Sequence, residues 1–431
     1  MVIQSENSSK RKRNNSTKKP VLSNRGSHII RLPIRSSEHL LALNDRKNYV
    51  TFLQKFIEKY PMLFPDEIAE GFGVHDSRNS SKLELKYYRI KLKKNNAIYS
   101  IYPCDVLPYM MGKTKDVEIA LLLLKYAVPY WLITKCLGRY DAYWERVFLH
   151  FGRCSIVGST VKDVSKMPKN ITADEKITWL NGKEIYASMI VGCNCILGNT
   201  LSLTECQKGL QEAYGQFKAE AQDLVAEYMP ESCNIDGWQS STKALRNLFP
   251  KTIFILCFLH SVLKIRKVCG KEPQKKDLLT KVWNVYKSKN IKELDANVLD
   301  LQTWTADNVV KTSVKENVAK LCERKDRFAA AFAAPNGHRT TSMVDRVMRP
   351  FDKFLANRMY FHGHLSTAQL ACTAFALCHN FAPFAPRTRN FNKEHTNCRA
   401  DNLNGFSFRE NWLENLLVAT SRNGFQSFHQ K

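Results

Sequence analysis

The sequence predicts an α/β chain of the α+β, multidomain kind: a mixed sheet with a helical insertion, preceded by a basic, largely helical region. Three observations carry that reading. Residues 171 to 203 hold three strand patterns in a row, Ile171 to Leu180, Glu184 to Cys193 and Cys195 to Leu203, with Asn181-Gly182 as a strong hairpin turn between the first two. Two short apolar strands follow, Cys233 to Ile235 and Thr252 to Leu256, and the first ends on a carboxylate, Asp236. The stretch from Arg266 to Asn336 is rich in Lys and shows helical periodicity with no strand pattern.

At 431 residues the chain has room for two or three domains with sizeable cores. A net charge of +25 is far from balance and points to a polyanionic partner, nucleic acid first. No apolar run is long enough to span a bilayer, so no membrane partner is expected. The N-terminal residues are basic and lack the apolar core of a secretory signal. Thirteen cysteines, an odd number spread through the chain, suit a reducing compartment. Cys193-x-Cys195 is too tight for a usual zinc pair, and no CxxC repeats.

Taken in order, residues 1–35 read as a disordered basic arm, in which Lys10, Arg11, Lys12 and Arg13 form one run. That run reads equally as a nuclear signal, a tether to DNA phosphates or a solubilising tail. Residues 36–112 read as a DNA-binding or accessory domain, with a helix over Val50 to Tyr60 and a hairpin of Leu83 to Leu92 with Ala97 to Tyr102. Residues 113–165 read as a helix-turn-helix. Tyr130 to Leu137 is closed by Gly138, and Arg139 to Phe151 carries Arg139, Tyr143 and Arg146 toward DNA.

Residues 166–265 form the first part of the expected core. On the strand Ile171 to Leu180, alternation puts Ile171, Ala173, Glu175, Ile177 and Trp179 on one face. Thr172, Asp174, Lys176 and Thr178 fall on the other, polar face. A metal-binding carboxylate must be reachable, which favours Asp174, with adjacent Glu175 as its rival. Thr204 to Tyr228 shows a helical stripe of Leu210, Tyr214, Phe217, Ala221 and Leu224. Asp236 then ends a buried strand, where open α/β sheets place their sites, and Ser240 and Ser241 are candidate caps for the next helix. Residues 266–337 are the helical insertion and 338–385 the last part of the core. There a helix with Val344, Val347, Met348 and Phe351 on its apolar face carries Asp345, and Pro350 should kink or end it. Residues 386–431 read as a basic, loop-rich tail with one helix near Phe408 to Ala419.

Three strands, helix, strand, helix, strand is the order of an RNase H-like fold, whose first and fourth strands are neighbours and carry the first two acids. Asp236-Gly237-Trp238, Phe249-Pro250 and Cys257-x-x-His260 resemble the Mutator-like transposases and their bacterial insertion-sequence relatives. Thr340-Thr341-Ser342-Met343-Val344-Asp345 looks like that superfamily's third-acid segment, and Ala173-Asp174-Glu175 like its first-acid strand. The resemblance covers about residues 170 to 385. It implies Asp174, Asp236 and Asp345 as catalytic metal ligands, a site with Asp where most such enzymes have Glu third. Cys257 and His260 are implied as supporting groups, secondary with Glu175. It further implies cutting of DNA at the terminal inverted repeats of a mobile element and joining of the 3′-OH ends to target DNA, by a homo-oligomer. The expected compartment is the cytoplasm, at the nucleoid, or the nucleus in a eukaryote.

The residues suit that chemistry. In-line attack on a phosphodiester is served by two divalent ions about 4 Å apart, and hard Mg²⁺ or Mn²⁺ prefers carboxylate oxygens. Two other classes stay open at this point. One is a domesticated or inactive DNA-binding factor of transposase descent; the other is an RNase H-like nuclease without strand transfer.

Overall fold

The computed structural model describes residues 26–43, 45–108, 111–391, 396–405 and 407–425. Lys10, Arg11, Lys12 and Arg13 lie outside them. The first sheet has four strands, β1 (Ile29–Leu32), β2 (Phe72–Ser80), β3 (Leu85–Leu92) and β4 (Ile98–Pro103), in the order β1-β4-β3-β2. The expected hairpin is the antiparallel β3–β4 pair. β1 corrects the extent of the basic arm: its apolar residues Ile30 and Leu32 are fully buried, parallel to β4. α1 (Ser36–Ala42) and α2 (Arg46–Lys59) lie between β1 and β2, and α2 buries Tyr49 and Leu53.

Four helices follow: α3 (Thr114–Lys125), α4 (Tyr130–Leu137), α5 (Asp141–Phe151) and α6 (Ile156–Thr160). Gly138 and Arg139, at φ +72° and +66°, turn the chain between α4 and α5. Arg139 therefore belongs to the turn and not to the helix expected from it. α5 buries Trp144, Val147, Phe148 and Phe151.

The second sheet holds β5 (Asn170–Leu180), β6 (Lys183–Gly192), β7 (Cys195–Ser202), β8 (Ser232–Ile235) and β9 (Ile253–Leu256) in the order β7-β6-β5-β8-β9. It is mixed: β5 pairs antiparallel with β6 and parallel with β8. Asn181 and Gly182 both take positive φ, 52° and 75°, the conformation a two-residue hairpin with right-twisted strands requires. α7 (Gln207–Leu224) buries the expected stripe of Leu210, Tyr214, Phe217, Ala221 and Leu224, and α8 (Gln239–Leu248) packs beside it.

The two faces of β5 differ from the alternation reading. Thr172 and Thr178 of the nominally polar face are 0% exposed, whereas Ile177 and Trp179 are 46% and 38% exposed. The cause is a second layer of helices. After α9 (Phe258–Cys269), the insertion helices α10 (Lys275–Lys287), α11 (Ile291–Asn308), α12 (Thr312–Glu323) and α13 (Lys325–Ala333) form their own core around Val282, Leu301, Val318 and Phe328. α14 (Ser342–Asn357) and α15 (Leu365–Phe381) then return to the sheet, α14 against β5 and β6 and α15 against β7.

α14 corrects the expected break at Pro350: the helix continues through it to Asn357. Val344, Val347, Met348, Phe351, Phe354 and Leu355 are buried on both sides of the proline, and that shared apolar face outweighs one missing hydrogen bond. The last segment holds α16 (Pro386–Phe391), α17 (Asp401–Asn404) and α18 (Trp412–Ala419). α18 lies where a helix was expected, near Phe408 to Ala419, and it is buried along its whole length. Its Glu414 is buried too, and is paired with Arg35 at 3.1 Å and Arg409 at 3.2 Å. Among the described residues no helix is long and apolar enough to cross a membrane.

Candidate active site

The register of the parallel pair β5–β8 delivers the first two acids. Thr172 stands opposite Asn234, and Asp174 and Asp236 each come two residues later. In neighbouring parallel strands such residues point to the same face. Asp236 leaves the strand and accepts the Trp238 N–H at 2.7 Å on Oδ1. Gly237, at φ +94°, allows this tight exit: a Cβ there would stand 2.5 Å from Leu256 Cδ1.

β9 ends at Leu256, and Cys257 caps α9, whose first turn carries His260. The Thr340-Thr341-Ser342 segment docks on this cap. The Thr341 N–H donates to Cys257 Sγ at 3.2 Å, and the Thr341 hydroxyl donates to Asp345 Oδ2, also at 3.2 Å. Asp345 sits in the first turn of α14. Two groups of side chains result. Asp174, His260 and Asp345 bring ligand atoms within 4.8 Å of one another, and so do Asp174, Glu175 and Asp236. Asp174 belongs to both.

Burial pushes the Asp174 carboxyl up to about 7, and the charge of Asp236 adds to it, while the Glu175 N–H donated to Asp174 at 2.9 Å opposes it. Burial also pushes Glu175 up to about 7, against hydrogen bonds from Ser241 and Tyr214. Tyr214 Oη donates to Glu175 Oε1 at 2.6 Å, and Ser241 donates to the same oxygen. Ser241 is thus spent on Glu175, and the residue at the α8 N-cap is Trp238, not Ser240 or Ser241. His260 is pushed up to about 9, first by its contact with the Cys257 sulfur and then by the charges of Asp174 and Asp345, against burial. Burial raises the Cys257 thiol, but its contacts with His260 and Thr341 outweigh this and bring it below its usual value.

These acids fit a hard divalent cation. Carboxylates from three separate elements crowd together, and burial disfavours the charge of Asp174 and Glu175. His260 Nδ1 is also buried without a hydrogen-bond partner among the described residues. Asp352, two turns beyond Asp345, instead pairs with Lys176 at 2.8 Å near the surface.

Arg139, Tyr143 and Arg146 form a separate aromatic–cation surface. The Arg139 guanidinium lies 5.4 Å from the Tyr143 ring centre, and that of Arg146 lies 5.5 Å from Tyr140. Arg139, Tyr140 and Arg146 are exposed, as is Trp131 on α4. Sequence reasoning missed two features of the acid cluster. One is Thr341 as the joint between Cys257 and Asp345. The other is Arg327, whose guanidinium lies against Gly237. Neither has a local sequence signature. No protein-family model matches the chain, and no curated protein matches it.

Proposed function

We propose that the chain is a DNA transposase with an RNase H-like catalytic core, similar to the Mutator-like and bacterial insertion-sequence enzymes. One observation carries this reading. Asp174, Asp236 and Asp345, three acids far apart in sequence, converge with His260 at the end of a mixed sheet of order β7-β6-β5-β8-β9. Asp174, Asp236 and Asp345 would hold Mg²⁺ or Mn²⁺, which when bound would activate a water or 3′-hydroxyl and stabilise the leaving oxygen. The chain's own groups set the stage. β5 and β8 fix the first two acids in register, Thr341 aims the third, and Tyr214 of α7 and Ser241 of α8 hold Glu175 beside Asp174. The basic excess and the Arg139–Tyr143–Arg146 surface suit binding of the element ends.

Asp236→Asn keeps shape and removes charge. In Mg²⁺ or Mn²⁺ it should abolish strand cleavage and leave duplex binding near wild type. Cleavage at the wild-type rate by this variant would remove Asp236 from the site. Joining of 3′-OH ends to a second duplex by the wild-type chain separates a transposase from a hydrolytic nuclease, and binding without any cleavage indicates a DNA-binding factor.

A further inference from the structure

The helical insertion sets a cation beside the acid cluster. α13 is fixed to the rest of the core by its apolar side: Phe328 is buried with its ring centre 5.0 Å from that of Phe258, and Ala331 and Ala334 pack with Ile255 of β9. Arg327, next to Phe328, is thereby directed onto the turn after β8. A Cβ on Gly237 would stand 3.2 Å from Arg327 Nη2 and 3.6 Å from Nη1. The guanidinium therefore rests on the backbone one residue past Asp236.

That guanidinium is unspent. Among the described residues it makes no hydrogen bond and no ion pair, although Asp236 is close enough to attract it. Arg324, one turn earlier on the chain, and Arg246, on α8, are close enough to repel it. All three arginines are exposed. Arg246 is steadied by the Phe254 ring, 5.3 Å from its guanidinium carbon. Three guanidinium groups gathered from two elements, beside acids that do not pair with them, form a site suited to an anion. The planar fork of donors on each matches the oxygens of a phosphate.

We propose that Arg327, flanked by Arg324 and Arg246, receives a backbone phosphate of the DNA on the Asp236 side of the acid cluster, making the helical insertion part of the substrate-binding surface. The inference rests on the nucleic-acid reading above and adds a binding subsite to it.

The test uses the full chain and a duplex of arbitrary sequence, first in chelator and then with Mg²⁺. Arg327→Ala should flatten the slope of log K against log salt by about 0.9, one phosphate contact. It should also slow cleavage by roughly 10-fold or more at saturating DNA. Arg327→Lys should keep the slope but not the cleavage rate, since the fork is lost. Lys292→Ala, removing an exposed cation elsewhere on the insertion, should change neither. If Arg327→Ala behaves like wild type, or like Lys292→Ala, the inference is overturned. Asp236→Asn is the reference. Cleavage by that variant would sink the proposed function, whereas an inactive Asp236→Asn beside an unaffected Arg327→Ala would sink only this subsite. The salt slope decides even where no variant cleaves.

Discussion

The Thr341 backbone N–H donates to the Cys257 sulfur at 3.2 Å, and so ties the start of the third-acid helix to the end of β9. The Thr341 hydroxyl lies 3.2 Å from the same sulfur and donates to Asp345. The C-x-x-H pair and the third acid are therefore one mechanical unit. Thr341 is 0% exposed, so valine fits its space and removes only the hydroxyl. A buried hydrogen bond to a charged group contributes roughly 1.5–3 kcal/mol. Thr341→Val should therefore lower cleavage about 10- to 100-fold, with Thr341→Ser near wild type. Rates at saturating Mg²⁺ beside a metal titration check this. A valine variant as fast as wild type would show that Asp345 needs no such aim.

Asp345 and Asp352 can be told apart in the same assay. Both lie on the unbroken α14, but Asp345 reaches Asp174 and His260 while Asp352 pairs with Lys176 near the surface. Asp345→Ala should abolish cleavage with folding and DNA binding kept. Asp345→Glu should restore part of it if the site tolerates one more methylene. Asp352→Ala should leave activity intact and cost at most about 1 kcal/mol of stability, as exposed ion pairs do. An active Asp345→Ala beside an inactive Asp352→Ala would move the third acid by two turns.

The acids were legible in the sequence because each sits at a point where local patterns end. Asp236 closes an apolar strand, and Asp345 follows a polar Thr-Thr-Ser lead-in. The β5–β6 turn and the stripe on α7 were legible for the same reason, since local conformation and burial agree there. Alternation misled on β5, because helices cover both of its faces and bury Thr178 while leaving Trp179 partly exposed. Basic composition hid β1 and the burial of the expected α18, both of which depend on partners distant in the chain. Pro350 suggested a break that packing on either side overrides. Arg327 was invisible for a different reason. Its place beside Gly237 is set by the docking of α13 on β9, and nothing in its neighbours' identities encodes that docking.

Lys162 supplies a prediction that needs no DNA. It is 4% exposed, and its ammonium donates to the Gly158 carbonyl at 2.6 Å. Burial lowers it to about 7, with the charge of Arg422 adding to the effect and Cys154 opposing it. The sign follows from proton counting. Between about 7 and the ordinary lysine value of 10.5 the unfolded chain holds the proton and the folded chain does not. Stability therefore rises with pH across that window. Below it both states are charged, and the full penalty of burying the ammonium applies. Lys162→Met removes the titrating group and keeps most of the apolar stem. The stability of wild type minus that of Lys162→Met should climb from pH 7 to 9 with a slope approaching about 1.4 kcal/mol per pH unit. Other groups titrate alike in both proteins and cancel in the difference, and a constant offset from the lost hydrogen bond leaves its slope with pH unchanged. Urea unfolding at pH 7, 8 and 9 in chelator measures it. A difference that stays flat across the three would mean that Lys162 keeps its proton in the folded chain, paired or hydrated, and that burial at this site does not govern its charge.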